Sequence, residues 1–222
     1  MLDRSFAAFL FDMDGTLLDS ITVANRIWTR WAISHALDPA EVLAAMHGVQ
    51  VVQTMRRFAP VGTDIDREAL ALTQAEVDDV EGIVEIAGAR RFLDSLPSQR
   101  WAIVTSAPRR LAIARLNAVG LPLPEVLITA EDVELGKPAP DCYIAAAQAL
   151  GVEISDCLVW EDAPAGIQAA EAAGATVVIV AATHSKPIQS DHFLIQSYEG
   201  LCAGTETDGQ LSLAGLAFAV RC

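Results

Sequence analysis

Two hydrophobic patterns alternate along most of this chain. Short apolar runs without charged residues are typical of strands buried on both faces of a parallel sheet, and they occupy residues 6–11, 101–105, 126–129, 157–160 and 176–180. Apolar positions three and four residues apart predict amphipathic helices at residues 88–96, 108–119, 140–150 and 163–173. Alternating strands and helices predict an α/β fold, because right-handed crossovers place the helices on both faces of a parallel sheet.

One segment interrupts this alternation. Residues 19–80 carry helical patterns and no strand pattern. The helices are expected at residues 19–36, 39–47, 50–58 and 64–80. We therefore predict a Rossmann-like parallel-sheet core formed by residues 1–17 and 82–222, with an inserted α-helical cap domain at residues 18–81. An insertion directly behind the first strand is where a lid over the end of the sheet would be built.

Residues 191–222 have a weaker pattern. Asp208 and Gly209 stand between residues 204–207 and 210–213, and this pair favours a tight turn. The segment is therefore predicted to contain a small hairpin.

The composition limits the class of protein. A chain of 222 residues with 52% hydrophobic and 20% charged residues can bury one substantial core and one further lobe. The net charge of −14 disfavours a nucleic acid or an anionic membrane as partner, because both require basic faces. It does not exclude an anionic small molecule, because a bound metal ion and one or two basic side chains can reverse the local field.

The expected location of the chain is the cytoplasm. No apolar run reaches the length of about 18 residues that a membrane span needs. The first residues lack the basic and apolar regions of a secretory signal. The cysteines show no C-x-x-C or metal-finger spacing, which favours reduced thiols. They are Cys142, Cys157, Cys202 and Cys222.

The candidate functional residues lie at the carboxyl ends of the predicted strands. The first strand ends in two carboxylates, Asp12 and Asp14, and the strand at 157–160 ends in Glu161 and Asp162. Open α/β sheets bind ligands at this edge, so we expect these acids to converge. Buried carboxylates repel one another unless a cation lies between them, and carboxylate oxygens suit a hard dication such as Mg²⁺.

Phosphoryl transfer would use such a cluster. An aspartate can attack phosphorus, and Asp12, the first residue after the strand, is the candidate nucleophile. Asp14 would protonate the leaving alkoxide and later deprotonate the attacking water. The hydroxyl of Thr105 and the ammonium of Lys137 would bind the phosphoryl oxygens. The expected metal ligands are Asp12, Asp14 through its backbone carbonyl, Asp162 and Glu161.

Other polar residues near these motifs each have a structural alternative. Ser106 is a candidate phosphate-binding hydroxyl, or the N-cap of the helix at 108–119. Asp19 is a candidate substrate ligand at the entrance of the lid, or a helix N-cap. His47 and Gln50 could contact sugar hydroxyls from the cap, although His47 is explained better as a helix-end residue.

Four motifs, in this order, resemble those of the haloacid dehalogenase-like (HAD) superfamily: DMDGTLLDS, IVTS, GKPAPD and VWEDAPAGI. The resemblance spans roughly residues 6–180. With an acid at position 14, the chain resembles the phosphatase and phosphomutase branch of this superfamily, and its helical insertion resembles that of the small-cap subclass. Resemblance to the sugar-phosphate and polyol-phosphate phosphatases implies a Rossmann-like core, a helical cap, Mg²⁺, a small phosphorylated metabolite as substrate, and a monomer or weak dimer.

Two alternatives remain open. β-Phosphoglucomutases resemble this chain in all four motifs, but they carry valine, histidine and arginine where this chain has Thr16, Ala24 and Val51. Ala24 and Val51 cannot bind a second phosphate, so transfer to water is favoured, although Arg56 or Arg57 could supply a cation from another angle. The other alternative is a non-catalytic HAD-like binding protein, and the intact acids speak against it.

Overall fold

The computed structural model describes residues 4–184 and 188–215, so Cys222 lies outside the described residues. Within these ranges the strands are β1 (Ala8–Phe11), β2 (Leu18–Asp19), β3 (Val84–Glu85), β4 (Trp101–Val104), β5 (Val126–Ile128), β6 (Cys157–Glu161), β7 (Thr176–Val180), β8 (Phe193–Ile195), β9 (Cys202–Thr205) and β10 (Leu211–Ala214). The α-helices are α1 (Ile21–Ser34), α2 (Pro39–Met46), α3 (Val51–Phe58), α4 (Ile65–Asp78), α5 (Ala89–Asp94), α6 (Arg109–Val119), α7 (Asp141–Leu150) and α8 (Pro164–Ala173).

Six strands form one sheet in the order β5-β4-β1-β6-β7-β8. Every neighbouring pair is parallel. The chain runs outward from β1 through β4 to β5 and then returns to β6 on the other side of β1, as in a doubly wound Rossmann-type sheet. The predicted α/β fold is confirmed. The direction of winding changes between β1 and β6, and the crevice at such a switch point is where these sheets bind ligands.

The central strand is covered on both faces. Phe9 and Phe11 belong to one hydrophobic cluster, whereas Ala8 and Leu10 belong to another. This division follows from the strand geometry, because successive side chains point to opposite faces of a sheet. The ring of Phe11 stacks on that of Trp160 in β6, with centroids 5.6 Å apart. The two strands that end in acids are therefore held together by aromatic packing directly behind those acids.

Helices α1 to α4 form the insertion between β1 and β4, as the pattern of residues 19–80 predicts. Helix α1 packs against α2 and α4, and α3 also packs against α4. Trp28 and Trp31 of α1 are buried, at 4% and 7% exposure. Asp38 is the N-cap of α2, and its carboxylate accepts a hydrogen bond from the Ala40 amide in the first turn. The buried apolar residues of the insertion belong to the same hydrophobic cluster as Phe9 and Phe11 of the sheet.

The chain enters and leaves the insertion through a short antiparallel pair that the hydrophobic pattern did not predict. Strand β2 pairs with β3, so that Leu18 lies opposite Glu85 and Asp19 lies opposite Val84. Two residues are too few to produce an alternating pattern, which explains the omission. The division into a core of residues 1–17 and 82–222 and a cap of residues 18–81 stays a prediction.

Residues 202–214 form a hairpin, as predicted, with slightly different bounds. Strands β9 and β10 are antiparallel, and Leu211 also exchanges two backbone hydrogen bonds with Phe6 ahead of β1. Strand β8, at the edge of the main sheet, was not predicted because its three residues give too short a pattern. Among the described residues, no helix combines the length and the apolar character that crossing a membrane requires. Cys142, Cys157 and Cys202 are free thiols.

Candidate active site

Lys137 lies at the centre of a buried polar cluster. Its ammonium is 1% exposed and donates to Asp12 Oδ1 at 2.7 Å and to Glu161 Oε1 at 2.6 Å. A third hydrogen bond, of 3.1 Å, reaches the carbonyl of Val104 at the end of β4. The predicted convergence of Asp12, Lys137 and Glu161 is therefore present in the structure. Three adjacent strand ends, of β1, β4 and β6, meet around one cation.

Glu161 is fully buried, and both of its oxygens are occupied. Oε1 accepts from Lys137 and from the hydroxyl of Tyr143, the latter at 2.9 Å. Oε2 accepts from the backbone amides of Asp162 and Ala163, at 2.9 and 3.0 Å, where α8 begins. Four hydrogen bonds fix this carboxylate, so it can hold Lys137 in place. Tyr143 could not be predicted from the sequence, because its contact with Glu161 depends on how α7 packs against the sheet.

Two glycines allow the acids to approach the backbone closely. Helix α8 passes Glu161 at Gly166, where an added Cβ would overlap the carboxylate. Gly15 has a φ of +88°, and a Cβ there would overlap the carboxylate of Asp162. Next to it, Thr16 is buried and donates to Asp162 Oδ1 at 3.4 Å. The motif glycines thus make room for the two acids at the end of β6, Glu161 and Asp162.

The cluster contains more negative than positive charge. Oxygens of Asp12, Glu161 and Asp162 lie within 4.8 Å of one another, and all three residues are buried. Burial and then the charge of Glu161 raise the pKa of Asp12 to about 7, although Lys137 opposes the shift. Burial and the charge of Asp12 likewise raise the pKa of Asp162 well above its usual value. Three carboxylates that share one lysine form a donor set suited to a hard divalent cation.

Thr105 and Ser106, at the end of β4, have different surroundings. The hydroxyl oxygen of Thr105 accepts from the Ala107 amide at 3.0 Å, and the residue lines the same cavity as Asp12. Ser106 donates to the carbonyl of Gly48 in the insertion, at 2.9 Å. The expectation that Ser106 caps α6 is wrong, because Pro108 occupies the N-cap position. Its hydroxyl joins the insertion to the core instead.

Asp14 points into a second charged group that the sequence analysis missed. Its Oδ1 accepts from Ser20 at 2.6 Å and from Arg115 Nη1 at 2.8 Å. Arg115 in α6 also donates through Nη2 to Glu76 in α4, at 2.9 Å. Burial raises the pKa of Glu76 to about 7, although the positive charge of Arg115 opposes the shift. One signal was available, because Arg115 stands between Leu111 and Leu116 on the apolar face of α6.

A cavity of about 80 Å³ lies over Asp12 and Asp14, between the insertion and the sheet. Residues from both sides line it. The insertion contributes Ala24, Val51 and Glu76, among others, and the core contributes Thr105 and Arg115. Such a site, enclosed by an insertion at the switch point of a parallel sheet, is typical of small-ligand binding.

The remaining candidate residues are placed as follows. His47 is exposed to solvent and also lines the cavity. Gln50 donates to the carbonyl of Ala130, at 3.3 Å, and so spans from the insertion to the core. Asp19 accepts from the Ile21 amide at 3.0 Å, but it is not the N-cap of α1, because Ser20 occupies that position. Arg56 and Arg57 are exposed on α3, and neither belongs to the cavity lining.

This combination defines a doubly wound α/β protein with a buried, metal-suited acidic site beneath a helical insertion. The family profile of haloacid dehalogenase-like hydrolases matches residues 6–174, and the chain belongs to that family. The resemblance drawn from the four motifs is thereby confirmed.

Known relatives are similar over most of the chain. Hexitol phosphatase A of Escherichia coli K12 is 41% identical over 208 residues, which cover 91% of this chain and 96% of that protein. 2-Deoxyglucose-6-phosphate phosphatase 1 of Saccharomyces cerevisiae is 31% identical over 212 residues, 86% of each chain. A β-phosphoglucomutase structure from Clostridium difficile aligns with a TM-score of 0.73 over 86% of this chain and 91% of that one. Its identity of 20% shows a common fold alone.

Substitution of Gly166 by alanine tests the close approach of α8 to Glu161. The new methyl group should displace the Glu161 carboxylate and disturb Lys137, lowering the free energy of unfolding by about 1–3 kcal/mol. Urea denaturation measures this loss. Gln168→Ala, on the exposed side of the same helix, serves as the control and should change stability by less than about 0.5 kcal/mol. Equal stabilities for the two variants would contradict the predicted overlap.

Proposed function

We propose that this chain is a Mg²⁺-dependent phosphatase that hydrolyses small sugar or polyol phosphate monoesters through an aspartyl-phosphate on Asp12. The observation that carries the proposal is the position of Asp12, held by Lys137 within an acidic cluster and facing a cavity that Asp14 also lines. The names of the two relatives, a hexitol phosphatase and a deoxyglucose-phosphate phosphatase, support a substrate of this class.

In the first step, a carboxylate oxygen of Asp12 attacks phosphorus, and the bond from phosphorus to the ester oxygen breaks. Thr105 donates a hydrogen bond to a phosphoryl oxygen, where charge develops in the transition state. Lys137, whose three N–H groups bond to Asp12, Glu161 and the Val104 carbonyl, stabilises that charge electrostatically through its nearby ammonium. Asp14 donates a proton to the leaving oxygen, which departs as an alcohol. Ser20 and Arg115 both bind one oxygen of Asp14 and so fix the carboxylate facing the cavity.

In the second step, water attacks the phosphorus of the aspartyl phosphate. Asp14, now ionised, accepts the proton of this water, and the bond between phosphorus and the Asp12 oxygen breaks. Inorganic phosphate leaves, and both aspartates return to their starting states. Ser106 in the core donates to Gly48, and Gln50 in the insertion donates to Ala130. These two contacts between core and insertion keep the cavity covered during both steps.

The proposed metal ligands are Asp12, Asp162 and the backbone carbonyl of Asp14, with Glu161 nearby. Mg²⁺ held there would reduce the repulsion between the Asp12 carboxylate and the phosphate dianion. The raised pKa values of Asp12 and Asp162 support this, because burial and then the neighbouring carboxylates disfavour their ionised forms, and a bound cation would oppose both effects. Glu161 was expected among the ligands, but its four hydrogen bonds favour a role in positioning Lys137.

The mutase alternative finds less support in the cavity. Ala24 and Val51 line it, at the positions where β-phosphoglucomutases carry histidine and arginine, and neither can bind an anion. Arg56 and Arg57, the other possible partners of a second phosphate, are exposed outside the lining. The non-catalytic alternative would give no reason for a buried, unbalanced charge cluster. We also propose that the protein acts as a cytoplasmic monomer on a small phosphorylated metabolite, with residues 18–81 as its cap.

Replacement of the nucleophile tests the phosphoenzyme. Asp12→Asn should lower kcat for p-nitrophenyl phosphate and for sugar phosphates by at least about 10³-fold, because an amide is a poor nucleophile. Asp94→Asn, which removes one exposed acid of α5, is the matched control and should keep normal activity. If Asp12→Asn retained more than a few per cent of the activity, another group would have to be the nucleophile.

Thermal unfolding tests the metal site without an activity assay. Mg²⁺ at about 100 times its dissociation constant should stabilise the protein by about 2.7 kcal/mol and raise Tm accordingly. The shift should be larger at pH 8 than at pH 6, because protons compete for Asp12, whose pKa is about 7. Asp162→Asn should lose most of the shift, whereas Asp94→Asn should keep it. An equal shift in all three proteins would exclude this metal site.

Product analysis distinguishes the phosphatase from the mutase. With β-glucose 1-phosphate and catalytic glucose 1,6-bisphosphate, we expect inorganic phosphate and glucose as products, because water is the expected acceptor. Phosphorus NMR follows both outcomes in one sample. Formation of glucose 6-phosphate without release of phosphate would overturn the phosphatase proposal in favour of the mutase.

A further inference from the structure

Glu76 and Arg115 form a buried ion pair that crosses from the insertion to the core. Glu76 belongs to α4 and Arg115 to α6, and each residue is 5% exposed. Their bond, from Nη2 to Oε1, measures 2.9 Å, and Nη1 of the same guanidinium lies 2.8 Å from Asp14 Oδ1. All three side chains line the cavity over Asp12. The pair therefore faces the space that a substrate would occupy.

The hydrogen bonding of this pair is incomplete. The Nε of Arg115 is buried and has no partner among the described residues. Arg115 donates to Oε1 of Glu76, and within the same described part of the chain no hydrogen bond reaches Oε2. A buried donor without a partner is unfavourable, so such a group in a cavity indicates a ligand that satisfies it. A hydroxyl group both donates and accepts, and it could serve the free donor and the free acceptor together.

The pair lies where the leaving group of the substrate would be bound. In the proposed reaction Asp14 protonates the leaving oxygen, so the leaving group begins next to Asp14. Arg115 is bonded to that same carboxylate, and Glu76 is bonded to Arg115. The carbon atoms that follow the leaving oxygen would thus reach this pair first. The phosphoryl group would lie on the other side, at Asp12 and Lys137.

We propose that Glu76 and Arg115 bind hydroxyl groups of the leaving alcohol and select uncharged polyols and sugars over substrates with a carboxylate. The guanidinium already faces two carboxylates, Asp14 and Glu76, and has no excess charge for another anion. A carboxylate on the substrate would instead be repelled by Glu76. This inference rests on the phosphatase activity proposed above.

Matched substrate pairs test this selectivity. Glycerol 3-phosphate and 3-phosphoglycerate differ in one terminal group, a hydroxymethyl or a carboxylate, and sorbitol 6-phosphate and 6-phosphogluconate differ in the same way. The assays are run at pH 8, where Glu76, with a pKa of about 7, is mostly ionised. The wild type should favour the uncharged member of at least one pair by about tenfold or more in kcat/KM. Glu76→Gln should lower that ratio by about tenfold, because it removes the charge and keeps the shape.

The ratio separates recognition from a purely structural role. Loss of a structural link between α4 and α6 would reduce kcat/KM for both members of a pair alike and leave their ratio unchanged. Asp78→Asn, an exposed acid on the same helix, is the control and should keep the wild-type ratio. An unchanged ratio in Glu76→Gln for both pairs, with an active wild type, would overturn the inference alone. Failure of the wild type to hydrolyse any of these esters or p-nitrophenyl phosphate would overturn the phosphatase proposal as well.

A second variant keeps the test independent of how well Glu76→Gln folds. Arg115→Lys retains the positive charge but removes the free Nε donor. It should raise KM for the preferred polyol phosphate more than for p-nitrophenyl phosphate, whose leaving group carries no further hydroxyl. Equal effects on the two substrates would contradict hydroxyl binding by Arg115. Circular dichroism and Tm measurements verify that each variant is folded.

Discussion

The ammonium of Lys137, shared between Asp12 and Glu161, is the interaction on which the rest of this site depends. Removing one partner from a buried ion pair is costly, because the other charge is left without compensation. The fold therefore surrounds this group with supporting contacts. Tyr143 and the first amides of α8 hold Glu161, and the aromatic stack of Phe11 on Trp160 holds the two strands that carry the acids. These contacts hold Lys137 and Glu161 in fixed positions.

The same cluster contains too little positive charge, and this shortage relates its structure to the proposed reaction. One lysine cannot balance three buried carboxylates, so the cluster can accept a divalent cation and, through it, an anionic phosphate. A net charge of −14 on the whole chain is thus compatible with a phosphorylated ligand. On the cavity's other side, Arg115 is shared between Asp14 and Glu76 in a similar way. We propose that the cavity has a metal-assisted site for the phosphoryl group at one end and a site for uncharged hydroxyl groups at the other.

Much of the fold could be predicted because its elements have strong local patterns. The buried strands, the helical insertion, Asp12 after β1 and Lys137 in the loop before α7 follow from sequence alone. Arg115 and Glu76 could not be paired in this way, because they are 39 positions apart and meet only when α4 packs on α6. The helix-cap alternative for Ser106 is wrong, because its hydroxyl donates to the Gly48 carbonyl in the insertion and Pro108 is the N-cap of α6. Local chemistry is visible in the sequence, whereas contacts between the insertion and the core depend on tertiary packing.

A crystal structure with Mg²⁺ and beryllium fluoride, a mimic of a transferred phosphoryl group, tests the central claim most directly. We predict beryllium on a carboxylate oxygen of Asp12, Mg²⁺ in contact with Asp12 and Asp162, and Lys137 still bonded to Glu161. Binding of the fluoride complex to another residue, or of Mg²⁺ away from Asp162, would contradict the claim that the charge shared by Lys137 and these acids assembles the reacting groups.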